Sequence, residues 1–490
     1  MGEREVRAQA PGPRDSALAD GQGDLFAFEA ANGLAMRTPN LSARTVITRA
    51  QSSCLLLVAA VLAALFARWP LATCAVLVAS MSAGFMASTM FRAVLAWIGA
   101  RSRPEPEHAA RLPDALLPVY TILVPLYREA NVLPRLARSL LLIDYPHDRL
   151  DIKILVENDD HETVTAAAEL AGRGPFEILT VPHGTPRTKP RACNYGLSFA
   201  RGEFTVIYDA EDRPERDQLR KAAAAFRRQP ADVACLQAHL NFYNANENWL
   251  TRLFALDYAL WFDVLLPGLD RMGVPMPLGG TSNHFRTAVL RELGGWDPFN
   301  VTEDADLGIR IGQLGKRVAM LNSTTFEEAP ARLGVWLKQR SRWLKGYMQT
   351  WLVHTRDPVS LIRRIGHVGV LAFHLFLGGA VVAALVNPLL WAVSGLSLCF
   401  GWPLFEDSGN TLLALSATGL VGGNAILTSL AMAAPLKRGW NRLAPYGLTV
   451  MLYWALISVA AWRALVQLAT NPFHWEKTAH GISRLPRWRN

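Results

Sequence analysis

The chain has 490 residues, 51% of them hydrophobic and 19% charged, with a formal net charge of +9. The charge density falls short of the ~25% of an ordinary soluble chain, and the length exceeds the ~250–300 residues at which single cores stop growing. The deficit is confined to blocks, which excludes a soluble cytosolic enzyme, while the normally charged middle, Arg101 to Arg364, excludes a purely embedded transporter or receptor.

Residues 1–48 are polar and read as a loose cytosolic segment without the pattern of a cleavable signal. No charged residue lies between Arg49 and Arg68, nor between Arg68 and Arg92. A bilayer core takes ~20 mostly apolar residues per helix, so 49–100 is expected to be a transmembrane hairpin split at Arg68-Trp69-Pro70. Arg101, Arg103 and Arg111 mark its cytoplasmic flank.

Segment 101–334 alternates strand and helix patterns. Apolar runs at Val119–Pro125, Asp151–Val156, Phe176–Val181 and Phe204–Tyr208 predict strands, and the stretches between them predict helices. That rhythm implies a mostly parallel sheet with helices on both faces, and ligands then sit at the carboxyl ends of the strands. After Asp217 the chain turns helical, with aromatic stretches at Trp249–Leu266 and Val335–Val353. In the second, Trp336, Trp343, Tyr347 and Trp351 share a helix face, with Lys338, Arg340, Arg342 and Lys345 interleaved. Residues 335–364 therefore suit amphipathic helices in the membrane interface, or an ordinary core face.

Segment 365–470 reads as the C-terminal spans and 471–490 as a basic tail. Ile365–Phe405 is long enough for two passes turning at Asn387-Pro388, or for one pass with extra helix. Two passes give six spans and strand Lys437, Arg438 and Arg442 outside; one pass gives five and puts the more basic tail outside. Six is the expected count. The cysteines (Cys54, Cys74, Cys193, Cys235, Cys399) are scattered without C-x-x-C, which indicates buried thiols rather than disulfides or a zinc site. No zinc-finger, RNP-like or basic-zipper pattern points to nucleic acid. The positive charge suits anionic lipid headgroups or a phosphorylated substrate.

The most specific feature is a series of clusters in fixed order: Glu157-Asn-Asp-Asp160, Asp209-Ala-Glu-Asp212, Thr302-Glu-Asp304 and Gln339-Arg-Ser-Arg-Trp343. Each alone also fits a turn or cap: Asp212 could cap a helix over Pro214–Phe226, and Asp304 one starting at Ala305. In this order, before a membrane-spanning block, the chain resembles the processive family 2 glycosyltransferases, the cellulose and hyaluronan synthase group. Their early Asp, D-x-D, T-E-D and Q-x-x-R-W correspond here to Asp159 or its neighbours, Asp209–Glu211, Thr302–Asp304, and Gln339/Arg342/Trp343.

The resemblance implies an α/β GT-A-like (nucleotide-diphospho-sugar transferase) domain, cytosolic and inserted between transmembrane helices of the inner or plasma membrane. It implies Asp304, with Glu303, as the catalytic pair, and Asp209 and Glu211 as ligands of Mg²⁺ or Mn²⁺. Asp159, Asp160, Glu157, Lys189, Arg342 and Gln339 would bind the nucleotide sugar, a UDP-sugar being favoured. Trp343 and the segment containing Thr281, Asn283 and His284 would meet the acceptor. Trp475, Lys477 and Thr478, within Phe473–Gly481, loosely match a gating segment. Two departures stand out: a glutamate at the second D-x-D position, and Gly279–Phe285 in place of the cellulose synthase acceptor segment.

The chemistry accounts for these residue types. A departing diphosphate needs its charge neutralised, and hard cations use one or two carboxylates plus phosphate oxygens. An acceptor hydroxyl needs a carboxylate within reach of its proton. The expected activity is inverting hexosyl transfer to a growing β-linked polysaccharide, with its translocation. A lipid-linked acceptor is the alternative, and an inactive polysaccharide-export component a weaker one.

Overall fold

The computed structural model describes residues 13–101, 112–170, 174–400 and 409–476. α1 (Pro13–Arg37) precedes the long helices α2 (Arg49–Arg68) and α3 (Pro70–Ala100). The expected loose N-terminal segment is thus helical over 13–37. Its small apolar stripe, Ala27, Ala30, Ala31 and Leu34, is buried, and the Asn194 amide donates to the Ala30 carbonyl at 3.1 Å.

The strands are β1 (Tyr120–Leu126), β2 (Leu150–Glu157), β3 (Phe176–Val181), β4 (Phe204–Ile207), β5 (Arg213–Pro214), β6 (Val233–Phe242), β7 (Asn283–Arg286) and β8 (Arg317–Glu327). They form one sheet in the order β3-β2-β1-β4-β7-β6-β8-β5. β1 to β4 pair in parallel, whereas β7 runs antiparallel to both β4 and β6. The β1 and β2 side chains are almost wholly buried, as the unbroken apolar runs require. Helices α4 (Leu133–Leu141), α5 (His161–Ala168), α6 (Lys189–Ser198) and α7 (Gln218–Arg228) cover the two faces. The predicted 214–226 helix starts four residues late because Arg213 and Pro214 pair with β8 instead.

Trp249–Met272 is helical throughout, as α8 (Trp249–Tyr258), a π-helical stretch and α9 (Leu266–Met272). α10 (Thr287–Glu292) and α11 (Glu303–Gln313) lead to α12 (Leu333–His354), which closes the domain. Then follow α13 (Pro358–Phe373), α14 (Gly379–Phe400), α15 (Gly409–Ala417), α16 (Gly423–Ala433) and α17 (Val450–Thr470).

Among the described residues, five helical stretches are long and apolar enough to cross a bilayer: 49–68, 70–100, 358–396, 414–438 and 444–470. The expected turn at Asn387-Pro388 is absent. α14 runs through Pro388 unbroken, so this region holds one such stretch and the expected six becomes five. Beside the proline, the Asn387 side chain donates to Asn424 of α16 at 3.3 Å.

Candidate active site

The sheet delivers carboxylates to one edge. Pro125 and Leu126 of β1, Glu157 at the end of β2, and Asp209 and Glu211 after β4 line a cavity of about 240 Å³. Glu157 is buried and receives the Arg191 guanidinium at 2.7 Å; burial still raises its pKa above the ordinary carboxyl value. Lys189, in the first turn of α6, pairs with Asp209 and donates to the Gly280 carbonyl at 2.7 Å. Burial opposes its charge, but Asp209 and Glu303 outweigh it and raise its pKa.

Asp212 does not cap a helix. Its Oδ2 accepts from the Asp209 amide at 2.7 Å and from Thr281, tying the β4 loop to the 279–282 turn. Its Oδ1 is buried with no hydrogen-bond partner among the described residues. Glu327, at the end of β8, lines the same cavity. Burial first, then Asp212, Glu211 and Asp209, raises its pKa well above normal. Sequence reasoning missed Glu327, although a carboxylate pair at a strand end (Phe326-Glu-Glu328) is the signal used for the other clusters.

Glu303 and Asp304 open α11 after Thr302, so Asp304 lies inside the first turn and is not its N-cap. Gly280 approaches so closely that a Cβ there would lie 3.3 Å from Asp304 Oδ2. Burial raises the pKa of both carboxyls, and for Glu303 the neighbouring Asp304 adds to it. α12 holds this turn from behind. Gln349 accepts from the Val301 amide at 3.0 Å, and a Cβ at Gly346 would meet the Thr302 amide nitrogen at 2.6 Å, so only glycine permits the approach. Asp306 is fixed by Arg310 at 2.7 Å and His354 at 2.9 Å.

Gln339, Arg342 and Trp343 project from α12 into the cavity wall. Gln339 Oε1 and Arg342 Nε are buried and unpaired among the described residues. The Trp475 ring, brought in by the C-terminal tail, lies 4.4 Å from the Arg342 guanidinium. Trp343 stacks near Tyr258, with ring centroids 6.1 Å apart. Tyr258, Gly280, Thr302, Asp304 and Trp343 also line a second, larger cavity of about 520 Å³. Asp304 therefore faces two spaces.

Other expected residues lie elsewhere. Asp160 caps α5 through the Thr163 amide at 3.3 Å and takes the Arg128 amide, so both oxygens are engaged. Asp159 is half-exposed and pairs at 2.5 Å with Arg187, which does line the 240 Å³ cavity. Thr281 lines that cavity. Asn283 and His284 do not: on β7 they are enclosed by neighbouring strands, Asn283 holding the Gly279 carbonyl at 2.5 Å and His284 the Tyr120 hydroxyl at 2.7 Å. Burial pushes the His284 pKa down to about 3, as befits a neutral core imidazole. The expected acceptor role of Asn283 and His284 is corrected accordingly. Lys477 and Thr478 lie outside the described residues.

This sheet order, with carboxylates at the ends of its parallel strands, defines a GT-A-like domain flanked by apolar helices. Residues 118–346 match the family model "Glycosyltransferase like family 2". The probable glycosyltransferase YdaM of Bacillus subtilis is 26% identical over 233 residues, 47% of this chain and 55% of that protein. A probable glucomannan 4-beta-mannosyltransferase of Arabidopsis thaliana is 27% identical over 47% of this chain and 43% of its own length. The chain spans about half the length of these curated relatives. A beta-monoglucosyldiacylglycerol synthase of Synechocystis is 24% identical over 75% of this chain and 76% of that protein. In fold, the chain is similar to a mannosyltransferase from Pyrobaculum calidifontis solved with GDP-Man and Mn²⁺, with a TM-score of 0.50 at 20% identity, covering 80% of this chain and 98% of that one.

Proposed function

We propose that this protein is a membrane-embedded, inverting hexosyltransferase. It moves a sugar from a nucleotide donor, a UDP-sugar being favoured, to an acceptor hydroxyl that reaches Asp304 from among the apolar helices. The observation that carries this reading is the position of Asp304 in the wall shared by the two cavities. The smaller cavity has the charged lining that a nucleotide diphosphate needs; the larger gives the acceptor its own approach.

The donor diphosphate would lie against Arg342, Lys189 and Gln339, with the base toward Glu157 and the Asp159–Arg187 pair. The donor left open at Arg342 Nε supports that placement. Asp209 and Glu211 would hold Mg²⁺ or Mn²⁺. The unpaired Asp212 Oδ1 and the raised Glu327 carboxyl beside them fit a site that gathers negative charge for a cation. Bound there, the metal would supply charge neutralisation at the diphosphate.

In the reaction the acceptor oxygen attacks the anomeric carbon opposite the diphosphate. The C–O bond to the diphosphate breaks, its electron pair leaves with the diphosphate, and Asp304 takes the acceptor proton. The raised pKa of Asp304 makes it a better proton acceptor near neutral pH. A single displacement inverts the anomeric centre, giving a β-linked product from an α-linked donor. Two occupants suit the larger cavity, a growing polysaccharide and a lipid. Release of UDP or GDP from a panel of nucleotide sugars with Mn²⁺ tests the activity. Asp304→Asn is expected to lower turnover by about 10²–10⁴-fold while nucleotide binding persists; equal turnover would refute the assignment.

A further inference from the structure

The larger cavity distinguishes between those two occupants. From Asp304 it extends away from the sheet between α3, α14 and α16, three helices within the bilayer-length apolar stretches, and over α17. Its near end is charged. Asp257 pairs with Arg340, and Arg92 of α3 donates to the Phe376 carbonyl at 3.2 Å while its Nε stays unpaired among the described residues. Beyond that end the wall is aliphatic and aromatic, including Phe85, Ala384, Leu427 and Ile457.

Few polar side chains remain there, and they are mostly engaged. Asn387 bonds Asn424 at 3.3 Å, Asn424 donates to the Leu420 carbonyl at 2.7 Å, and Ser458 donates to the Trp454 carbonyl at 3.1 Å. Asn387 Oδ1 is left over. Beyond the charged end a glycan threaded here would meet, among the described residues, only Asn387 Oδ1 and the indoles of Trp391 and Trp454 as open polar groups, and each hydroxyl left unmatched would cost roughly 1–3 kcal/mol. An acyl chain needs no partner.

The cavity also reaches the outer face of the helices. Trp391 of α14 and Met451 of α17 line it, yet are 40% and 37% exposed. On helices of this apolar character that exposure faces hydrocarbon rather than water. One end is therefore polar and adjoins the reacting atoms, whereas the other is apolar and opens sideways.

We propose that the acceptor is a membrane lipid with a free hydroxyl headgroup, its hydroxyl at Asp304 and its acyl chains in the larger cavity. This rests on the transferase reading above, and the displacement is the same: the lipid oxygen bonds the anomeric carbon and its proton goes to Asp304. A neutral hydroxyl needs no cation beside Asp304, and Arg340 on the same wall is already paired with Asp257.

The test uses the full chain in phosphatidylcholine vesicles with labelled nucleotide sugars and Mn²⁺. Diacylglycerol, a polyprenyl phosphate or a soluble oligosaccharide is added in separate arms. Label is expected to enter the organic phase only with diacylglycerol. Ala384→Trp and Ala455→Trp, which fill the cavity from α14 and α17, are each expected to reduce that product at least tenfold, with nucleotide binding as the check that each variant folds. Label in a water-soluble, lengthening glycan, or on the lipid phosphate, would overturn the lipid-hydroxyl proposal and leave the transferase reading standing. Absence of nucleotide release from every donor, in wild type as in Asp304→Asn, would overturn both.

Discussion

Glu303 is buried beside Asp304, with Lys189 as its nearest compensating charge, and its pKa is pushed up to about 8. Between its ordinary value and that raised one, the folded protein holds a proton that the unfolded chain releases. Stability therefore falls as pH rises through this window. Glu303→Gln removes the slope. Thermal unfolding should show the variant equal to wild type near pH 4 and more stable at pH 8, by about 2–4 °C if ~1 kcal/mol is recovered, while transfer is lost. An advantage over wild type no larger at pH 8 than at pH 4 would contradict the assignment of that buried charge. Asp209 and Glu211 call for a different measurement. Asp209→Asn and Glu211→Gln should each abolish the Mn²⁺-dependent part of nucleotide binding, read by calorimetry with and without EDTA, and leave the metal-free part in place.

At the scale of elements, α12 is the piece on which the site depends. It presents Gln339, Arg342 and Trp343 to the cavities and, two turns on, locks the Thr302–Asp304 turn through Gly346 and Gln349. Gly346→Ala places a methyl against the Thr302 backbone and should cost about 1–3 kcal/mol, the usual penalty for overpacking. It should also lower kcat more than it weakens donor binding, because the turn carries Asp304; unchanged kcat would show that the contact is only packing. The aromatic and basic spacing of this helix was legible in the sequence, as were the parallel strands β1 to β4, because unbroken apolar runs and 3.6-residue periodicity are local signals. Glu157, Asp209 and Glu211 reach the cavity because each ends or follows a strand, and Glu303 and Asp304 because they open α11. His284 and Asn283 were not legible, since which face of β7 meets the cavity is set by the antiparallel insertion between β4 and β6. Glu327 was hidden because β8 joins the sheet between β6 and β5, both far from it in sequence. The second cavity was equally unreadable, as it is built from side chains on elements spread from α3 to α17.

Over the whole molecule, the positions of the basic segments can be reconciled. Six spans would place Lys437, Arg438 and Arg442 outside; five crossing spans would place the tail outside. Both ends of α17 rest on the catalytic domain. Before it, Trp249 Nε1 donates to Thr449 at 2.9 Å; after it, Lys345 donates to the carbonyls of Asn471 and His474 at 3.1 and 2.9 Å. We propose that α17 lies along the membrane interface beside α12, so that four helices cross and every basic segment stays with the catalytic domain, as the positive-inside rule favours. In a chain cleared of its native cysteines, Asn441→Cys and Thr470→Cys should label from the same side as the catalytic domain. Labelling from opposite sides would show that α17 crosses.

The measurement closest to the central claim is Mn²⁺-dependent nucleotide release from a panel of UDP- and GDP-sugars by the lipid-reconstituted protein, with Asp304→Asn alongside. Donor-specific release that requires the metal and falls by about 10²-fold or more in the variant is the predicted result. Turnover that Asp304→Asn leaves unchanged, or silence from wild type with every donor, would contradict the assignment of this site as a glycosyl-transfer centre.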